Sequence, residues 1–176
     1  MPFSASRATV VAALISACLA LPAAMANAQG ANRDPAVTAL ASIVGVWQSD
    51  TTNGVSARST CQWTPTHGGV VCEQDIITPD RPQHALNLFT RNTTDNRFAL
   101  YVVMRPGDAV DAIAFSIEGS IWTYGGSKAA PNGQTYRTIN DFSLPNSYTW
   151  RQESSTDGTT WTVGAHGRSR CVNETR

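Results

Sequence analysis

The stretch Ala41-Ser42-Ile43-Val44-Gly45-Val46-Trp47-Gln48-Ser49-Asp50 decides the fold, because a helical pattern changes into a strand pattern within it. Upstream, Asp34-Pro35 is a typical helix start, in which a capping oxygen precedes a residue already set for the first helical position. Gly45 favours an end to this helix just before Trp47. The sequence therefore predicts a short N-terminal helix, with an apolar face formed by Val37, Leu40, Ala41 and Val44.

Downstream of Trp47 the chain consists of short alternating runs, separated by turn residues such as Asn53-Gly54 and Asn132-Gly133. The sequence predicts an all-β fold, an antiparallel up-and-down barrel of about ten strands with the short N-terminal helix. A β-sandwich is the alternative, but it would need a long Greek-key connection that the pattern does not contain. The predicted strands span residues 45–51, 55–63, 69–77, 84–91, 96–104, 110–117, 120–125, 134–142, 147–155 and 160–172.

Residues 1–28 have the pattern of a secretory signal peptide. A single cation, Arg7, precedes an apolar run from Ala8 to Leu21, and Ala26-Asn27-Ala28 supplies the small residues that a signal peptidase needs. This run is too short to span a bilayer, so no transmembrane segment is predicted. An alternative is a lipoprotein anchored at Cys18, because Ile15-Ser16-Ala17-Cys18 resembles a lipoprotein box.

We therefore expect residues 29–176 to form one barrel domain, located in the periplasm or secreted. The charge of the chain is balanced, with 13 Lys and Arg against 13 Asp and Glu, so no basic face for a nucleic acid is indicated. The sequence does not indicate an oligomeric state.

The cysteines predict a disulfide across the second hairpin. When Cys61 is placed opposite Cys72, three further pairs match in character: Trp63 with Val70, Thr60 with Glu73, and Arg58 with Asp75. The two cysteines then share one face at a separation that a disulfide tolerates. An oxidising compartment favours the bond. Cys171 is left over, and we interpret it as a small buried thiol in the last strand; a reactive or dimer-forming cysteine is the alternative.

Asp157-Gly158 is a strong signal for a two-residue hairpin turn near the C-terminus. With this turn, Trp150 faces Ala165 and Ser154 faces Trp161. One face of the hairpin, which we assign to the barrel interior, then consists of Tyr148, Trp150, Gln152, Trp161, Val163 and Ala165.

Gly45-x-Trp47, at the start of the first strand after a short helix, resembles the calycin superfamily of lipocalins and fatty-acid-binding proteins. The resemblance implies that Trp47 packs across the closed end of a barrel, and that Gly45 lets the chain turn in beneath it. It also implies that a late arginine, Arg168 or Arg170, lies over the tryptophan.

The arginine position depends on the last strand. If this strand is unbroken, His166, Arg168 and Arg170 point outward, and only a bulge at Gly164 or Gly167 would reverse them.

A more specific resemblance combines Cys61-Gln62-Trp63, Gly68-Gly69-Val70-Val71-Cys72 and the segment 155–161. Together these segments look like uncharacterised exported bacterial barrels of lipocalin-like type, grouped as a domain of unknown function. The resemblance covers residues 41–172 and implies a closed barrel, without a reaction that could be transferred.

No pattern in the sequence favours an enzyme or a metal site. The serines and threonines lack a nucleophile-elbow glycine pattern, and His67 and His84 lack a partner at metal-ligand spacing. His166 occupies a position loosely similar to the axial ligand of small haem-binding barrels, but its flanking residues differ. We therefore predict no cofactor.

The aromatic residues predict function only in outline. A barrel of about ten strands is wide enough to leave a cavity, and aromatic walls with a few polar groups suit a small apolar or amphipathic ligand. We expect non-catalytic binding of such a ligand. The alternative is a structural or protein-interaction barrel whose core these side chains fill. The candidate ligand-binding residues are Trp63, Trp122, Tyr148, Trp150, Gln152 and Trp161.

Overall fold

The chain folds into a closed antiparallel barrel of ten strands. The computed structural model describes residues 35–51, 54–79, 81–92, 94–104 and 110–172. Each strand pairs with its neighbour in sequence, and β1 pairs with β10, so the predicted fold class is confirmed and the β-sandwich is wrong. The strands are β1 (Gly45–Thr51), β2 (Ser56–Trp63), β3 (Gly69–Ile77), β4 (Pro82–Arg91), β5 (Phe98–Val103), β6 (Asp111–Glu118), β7 (Ile121–Ala129), β8 (Thr135–Leu144), β9 (Ser147–Ser155) and β10 (Thr162–Cys171).

The N-terminal helix is present but tighter than predicted. It begins as an α-helix, α1 (Pro35–Thr38), and continues as a 3₁₀ helix (Ala39–Ile43). Because a 3₁₀ helix has three residues per turn, Leu40 and Ile43 share its inner face, and both are buried. Ala41, which we expected on that face, is exposed. The predicted capping residue Asp34 lies outside the described residues, as do the predicted signal peptide and Cys18.

Trp47 joins the helix to the barrel. Its indole Nε1 donates a hydrogen bond of 2.8 Å to the carbonyl oxygen of Ile43, and its ring meets that of Tyr148 edge-on at 5.1 Å. Gly45 is the first residue of β1 and has a φ of 134°, in a region that residues with a side chain rarely adopt. The helix therefore covers one end of the barrel, as expected from the sequence.

The closing seam between β1 and β10 is held by main-chain pairing and by a buried polar contact. Trp47 pairs with Cys171 and Ser49 with Ser169. The Ser49 and Ser169 hydroxyls are hydrogen-bonded to each other, and Ser169 is completely buried. This contact satisfies two polar groups inside the barrel that would otherwise weaken the seam.

The predicted disulfide and its register are confirmed. Cys61 and Cys72 are bonded and directly opposite, and the three accompanying pairs also match. The prediction of a buried thiol at Cys171 is wrong, because Cys171 is disulfide-bonded, and the described range contains no free cysteine.

The hairpin between β9 and β10 differs from its predicted register. Its loop spans 156–161, because the carboxylate of Asp157 accepts hydrogen bonds from the backbone N–H groups of Thr159 (2.8 Å) and Thr160 (2.7 Å). Ser154 consequently pairs with Thr162, and a bulge at Gly164 shifts the register again. Trp161 therefore lies in the loop.

Val163, which we assigned to the interior, pairs with Glu153 and is exposed. Ala165, past the bulge, pairs with Gln152 and is half-buried.

Across the described residues, none of the helices has both the length and the apolar character needed to cross a lipid bilayer.

The disulfide should stabilise the barrel measurably. Replacing both Cys61 and Cys72 by alanine is expected to lower the free energy of unfolding by about 2 to 3 kcal/mol, because the bond restricts the unfolded chain. Urea denaturation without reductant measures the loss. The reduced double variant, compared with reduced wild-type protein, controls for the altered side chains, because neither then contains a disulfide. Thiol titration that finds both cysteines reactive in unreduced native protein would contradict the assignment.

Candidate ligand cavity

The barrel interior is divided between an aromatic cluster and an open cavity. In the cluster, Trp122 is 1% exposed and packs at 5.7 Å from Phe115 and 4.9 Å from Phe142, measured between ring centroids. Such contacts supply both buried area and favourable ring geometry. The members of the aromatic cluster are Phe89, Phe98, Phe115, Trp122, Tyr124, Phe142 and Tyr148.

The cavity lies where the inward side chains are small. The first three strands contribute residues such as Ser49, Ala57, Ser59 and the Cys61–Cys72 pair, which leave space opposite the aromatic cluster. The volume is about 400 Å³, within the usual range for small-molecule sites. Ile43 and Trp47 form the buried floor, and exposure increases toward Gln152.

The wall of the cavity combines apolar and hydrogen-bonding groups. Asn87 Nδ2 donates to Gln74 Oε1 over 3.4 Å, and Asn140 Nδ2 donates to the hydroxyl of Tyr124 over the same distance. Both bonds are long for amide donors and therefore weak. The polar side chains lining the cavity are Ser49, Ser56, Ser59, Gln74, Asn87, Tyr124, Thr138, Asn140, Tyr148 and Gln152.

The cavity is electrically neutral among its described residues, none of which is Asp, Glu, Lys, Arg or His. Burial raises the pKa of Tyr124 well above its ordinary value; Tyr148 raises it further, and the hydrogen bond from Asn140 partly offsets this. Burial also raises the pKa of Tyr148, against hydrogen bonds with Ser169 and Ser49 that lower it. Both phenols therefore stay uncharged at neutral pH.

Trp150 is positioned by a glycine on the neighbouring strand. It pairs with Gly167, and a Cβ atom at Gly167 would lie 2.7 Å from Cζ2 of the indole and closer still to the carbonyl oxygen of Asp50. No side chain fits there, so the ring rests directly on the backbone of β10. The ring also lines the cavity, where it offers a flat apolar surface.

The structure brings together three of the six predicted ligand-binding residues. Tyr148, Trp150 and Gln152 line the cavity together. Trp122 instead belongs to the aromatic cluster. Trp63 is partly buried against the hydrophobic core, with its ring 6.0 Å from that of His67.

Trp161 lies on the outer surface. The guanidinium carbon of Arg137 sits 3.9 Å from its ring centroid, a cation–π geometry. The long loop and the bulge at Gly164 explain this position. Arg137 Nε also donates to Glu153 over 2.6 Å, as does Arg151 Nε.

The late arginines lie on the outer face of β10, as predicted for an unbroken strand, although a bulge is present at Gly164. Arg168 donates to the Ser147 hydroxyl over 2.9 Å, and Arg170 lies 3.7 Å from Asp50. The structure thus places neither arginine over Trp47, which faces inward. His166 also lies on the exposed face of β10.

The sequence did not predict several of the residues that line the cavity, among them Ser59, Gln74, Asn87 and Asn140. A usable signal was present, because Ser59 and Gln74 stand two residues from Cys61 and Cys72 and therefore share their face. What the sequence left open was whether that face points inward.

No protein-family model and no curated protein matches this chain.

Substituting Gly167 tests the placement of Trp150. Gly167→Ala should lower the free energy of unfolding by about 2 kcal/mol, because the new methyl group overlaps the indole ring and the backbone of β1. It should also change the near-ultraviolet circular dichroism of the tryptophans. Gly164→Ala is the matched control: nothing lies within 4 Å of its Cβ position, so little change is expected. Equal effects of the two substitutions would contradict the packing described.

Glu153 should make stability depend on pH. Burial raises its pKa, but hydrogen bonds and charge from Arg151 and Arg137 outweigh burial, so the pKa is lowered overall. Glu153→Gln should therefore destabilise the protein at pH 7, by about 2 kcal/mol. The difference should shrink as the pH falls below the ordinary glutamate range and through the lowered pKa, where the wild-type carboxyl is protonated too.

Thermal unfolding at several pH values measures this effect, with exposed Glu118→Gln as the control. A loss that is independent of pH would contradict the ion-pair account.

Proposed function

We propose that this protein is an exported binding protein of lipocalin-like, calycin type, which holds a small amphipathic ligand in its barrel without catalysis. The observation that carries the proposal is the cavity of about 400 Å³, with an apolar floor and a wall that combines apolar and hydrogen-bonding groups. A fold that only needed stability would gain from filling this space, since apolar burial and close packing both stabilise.

The calycin assignment is supported by the arrangement at the start of the barrel. A short helix covers one end, and Gly45 and Trp47 open β1 beneath it, with the indole bonded to the helix. Export is supported by the Cys61–Cys72 disulfide, which suits an oxidising compartment, and by the signal-like residues 1–28. The periplasm or the extracellular space is the proposed location.

A second candidate is a structural or protein-interaction barrel. The aromatic cluster favours it, because Phe115, Trp122 and their neighbours fill a large part of the interior. On this view the remaining space would contain only water.

Native mass spectrometry of protein purified from its own source separates the two candidates. A co-purifying small molecule is expected with the wild-type protein. It should be lost in Ser59→Phe, which places a ring in the cavity, and kept in Thr60→Phe, which places the same ring on the outer face of β2. Ligand-free wild-type protein, or a ligand retained by Ser59→Phe, would count against cavity binding.

A further inference from the structure

The neutrality of the cavity restricts the chemistry of its ligand. On the strands that form the wall, the charged side chains point away from the cavity. Arg58 and Asp75 are next in sequence to the lining residues Ser59 and Gln74, and therefore face outward. A carboxylate, phosphate or ammonium group inside the barrel would have no counter-charge among the described lining residues. Burying an unpaired charge is far more costly than burying a hydrogen-bonded neutral group.

The polar wall is suited to neutral hydrogen-bonding groups. Four carboxamides, Gln74, Asn87, Asn140 and Gln152, line the cavity on both sides. Each carboxamide has both donors and an acceptor, so it can donate a hydrogen bond to a carbonyl of the ligand or accept one from a hydroxyl or amide. The internal bonds that Asn87 and Asn140 donate are long, at 3.4 Å, and a ligand can replace them at small cost.

Trp150 provides the complementary apolar surface. Its ring lies against Gly167, which limits its movement, and it pairs across the strands with Asn140. A fixed ring beside an amide is a suitable platform for a flat, partly polar molecule, because little side-chain freedom is lost on binding.

We propose that the ligand is an uncharged molecule with a flat ring that stacks on Trp150 and with hydrogen-bonding groups that face the carboxamides. This proposal rests on the proposed function, since it describes the occupant of the same cavity. It excludes fatty acids and other anions as the main ligands.

Two fluorescent probes with the same aromatic skeleton test the proposal. N-phenyl-1-naphthylamine is uncharged, whereas 8-anilinonaphthalene-1-sulfonate adds one sulfonate; both brighten in an apolar site. Titration of the mature protein should show the neutral probe binding at least about tenfold more tightly, because the sulfonate would be buried without a partner. Signal that persists in Ser59→Phe measures binding outside the cavity and is subtracted.

Two variants test the individual features. Trp150→Leu should weaken binding of the neutral probe about fivefold or more, since the stacking of two aromatic rings contributes on this scale. Trp150→Phe, with a smaller ring, should have a lesser effect. Trp161→Leu, on the outer surface, is the matched control and should leave binding unchanged. Gln74→Lys, or Gln152→Lys nearer the mouth, should tighten the sulfonated probe about tenfold by supplying a counter-charge.

The failures of the two proposals are distinguishable. If neither probe shows binding that Ser59→Phe removes, the cavity does not bind ligands and the proposed function falls together with this inference. If the sulfonated probe binds in the cavity as tightly as the neutral one, cavity binding stands and the restriction to uncharged ligands is overturned. If Trp150→Leu and Trp161→Leu behave alike, the stacking role of Trp150 is overturned.

Discussion

The pairing of β1 with β10 is the constraint on which the rest of the structure depends. It turns a meander of ten strands into a closed ring with no free edge between its first and last strands. Trp47 lies at this seam, opposite Cys171, and its bond to the Ile43 carbonyl ties the helix over the same end. Closure, end-capping and the start of β1 therefore rely on one residue and its neighbours.

Closure also encloses an interior space. A ring of ten strands encloses more space than a barrel of fewer strands, and that space must be filled with side chains, water or a ligand. This chain fills part of it with rings from β4 to β9 and has small inward side chains, such as Ser49, Ala57 and Ser59, on β1 and β2. The cavity is thus a consequence of side-chain size on particular strands, and its neutral character follows from the outward placement of the charges.

Much of the fold could be predicted, because alternation and turn residues are local signals. The Cys61–Cys72 hairpin was predictable in register, since four cross-strand pairs agreed in one alignment. The β9–β10 hairpin was not, because Asp157 organises a longer loop through its carboxylate and Gly164 introduces a bulge. Those two features moved Trp161 and Val163 to the outside, and alternation alone does not reveal them.

The candidate site was predictable only in part, for a related reason. Tyr148, Trp150 and Gln152 alternate along one strand, so the sequence already indicates that they share a face. Whether Trp122 lies in the cavity or beside it depends on how aromatic side chains from several strands pack together. The amides on β3, β4 and β8 come together only after closure, which no local pattern encodes.

The most direct test of binding inside the barrel is a solution NMR titration that follows the tryptophan indole N–H signals as N-phenyl-1-naphthylamine is added. We expect a large shift for Trp150, which lines the cavity, and no shift for Trp161, which lies on the outer surface. A shift of Trp161 with Trp150 unmoved would show that the barrel interior is not the binding site.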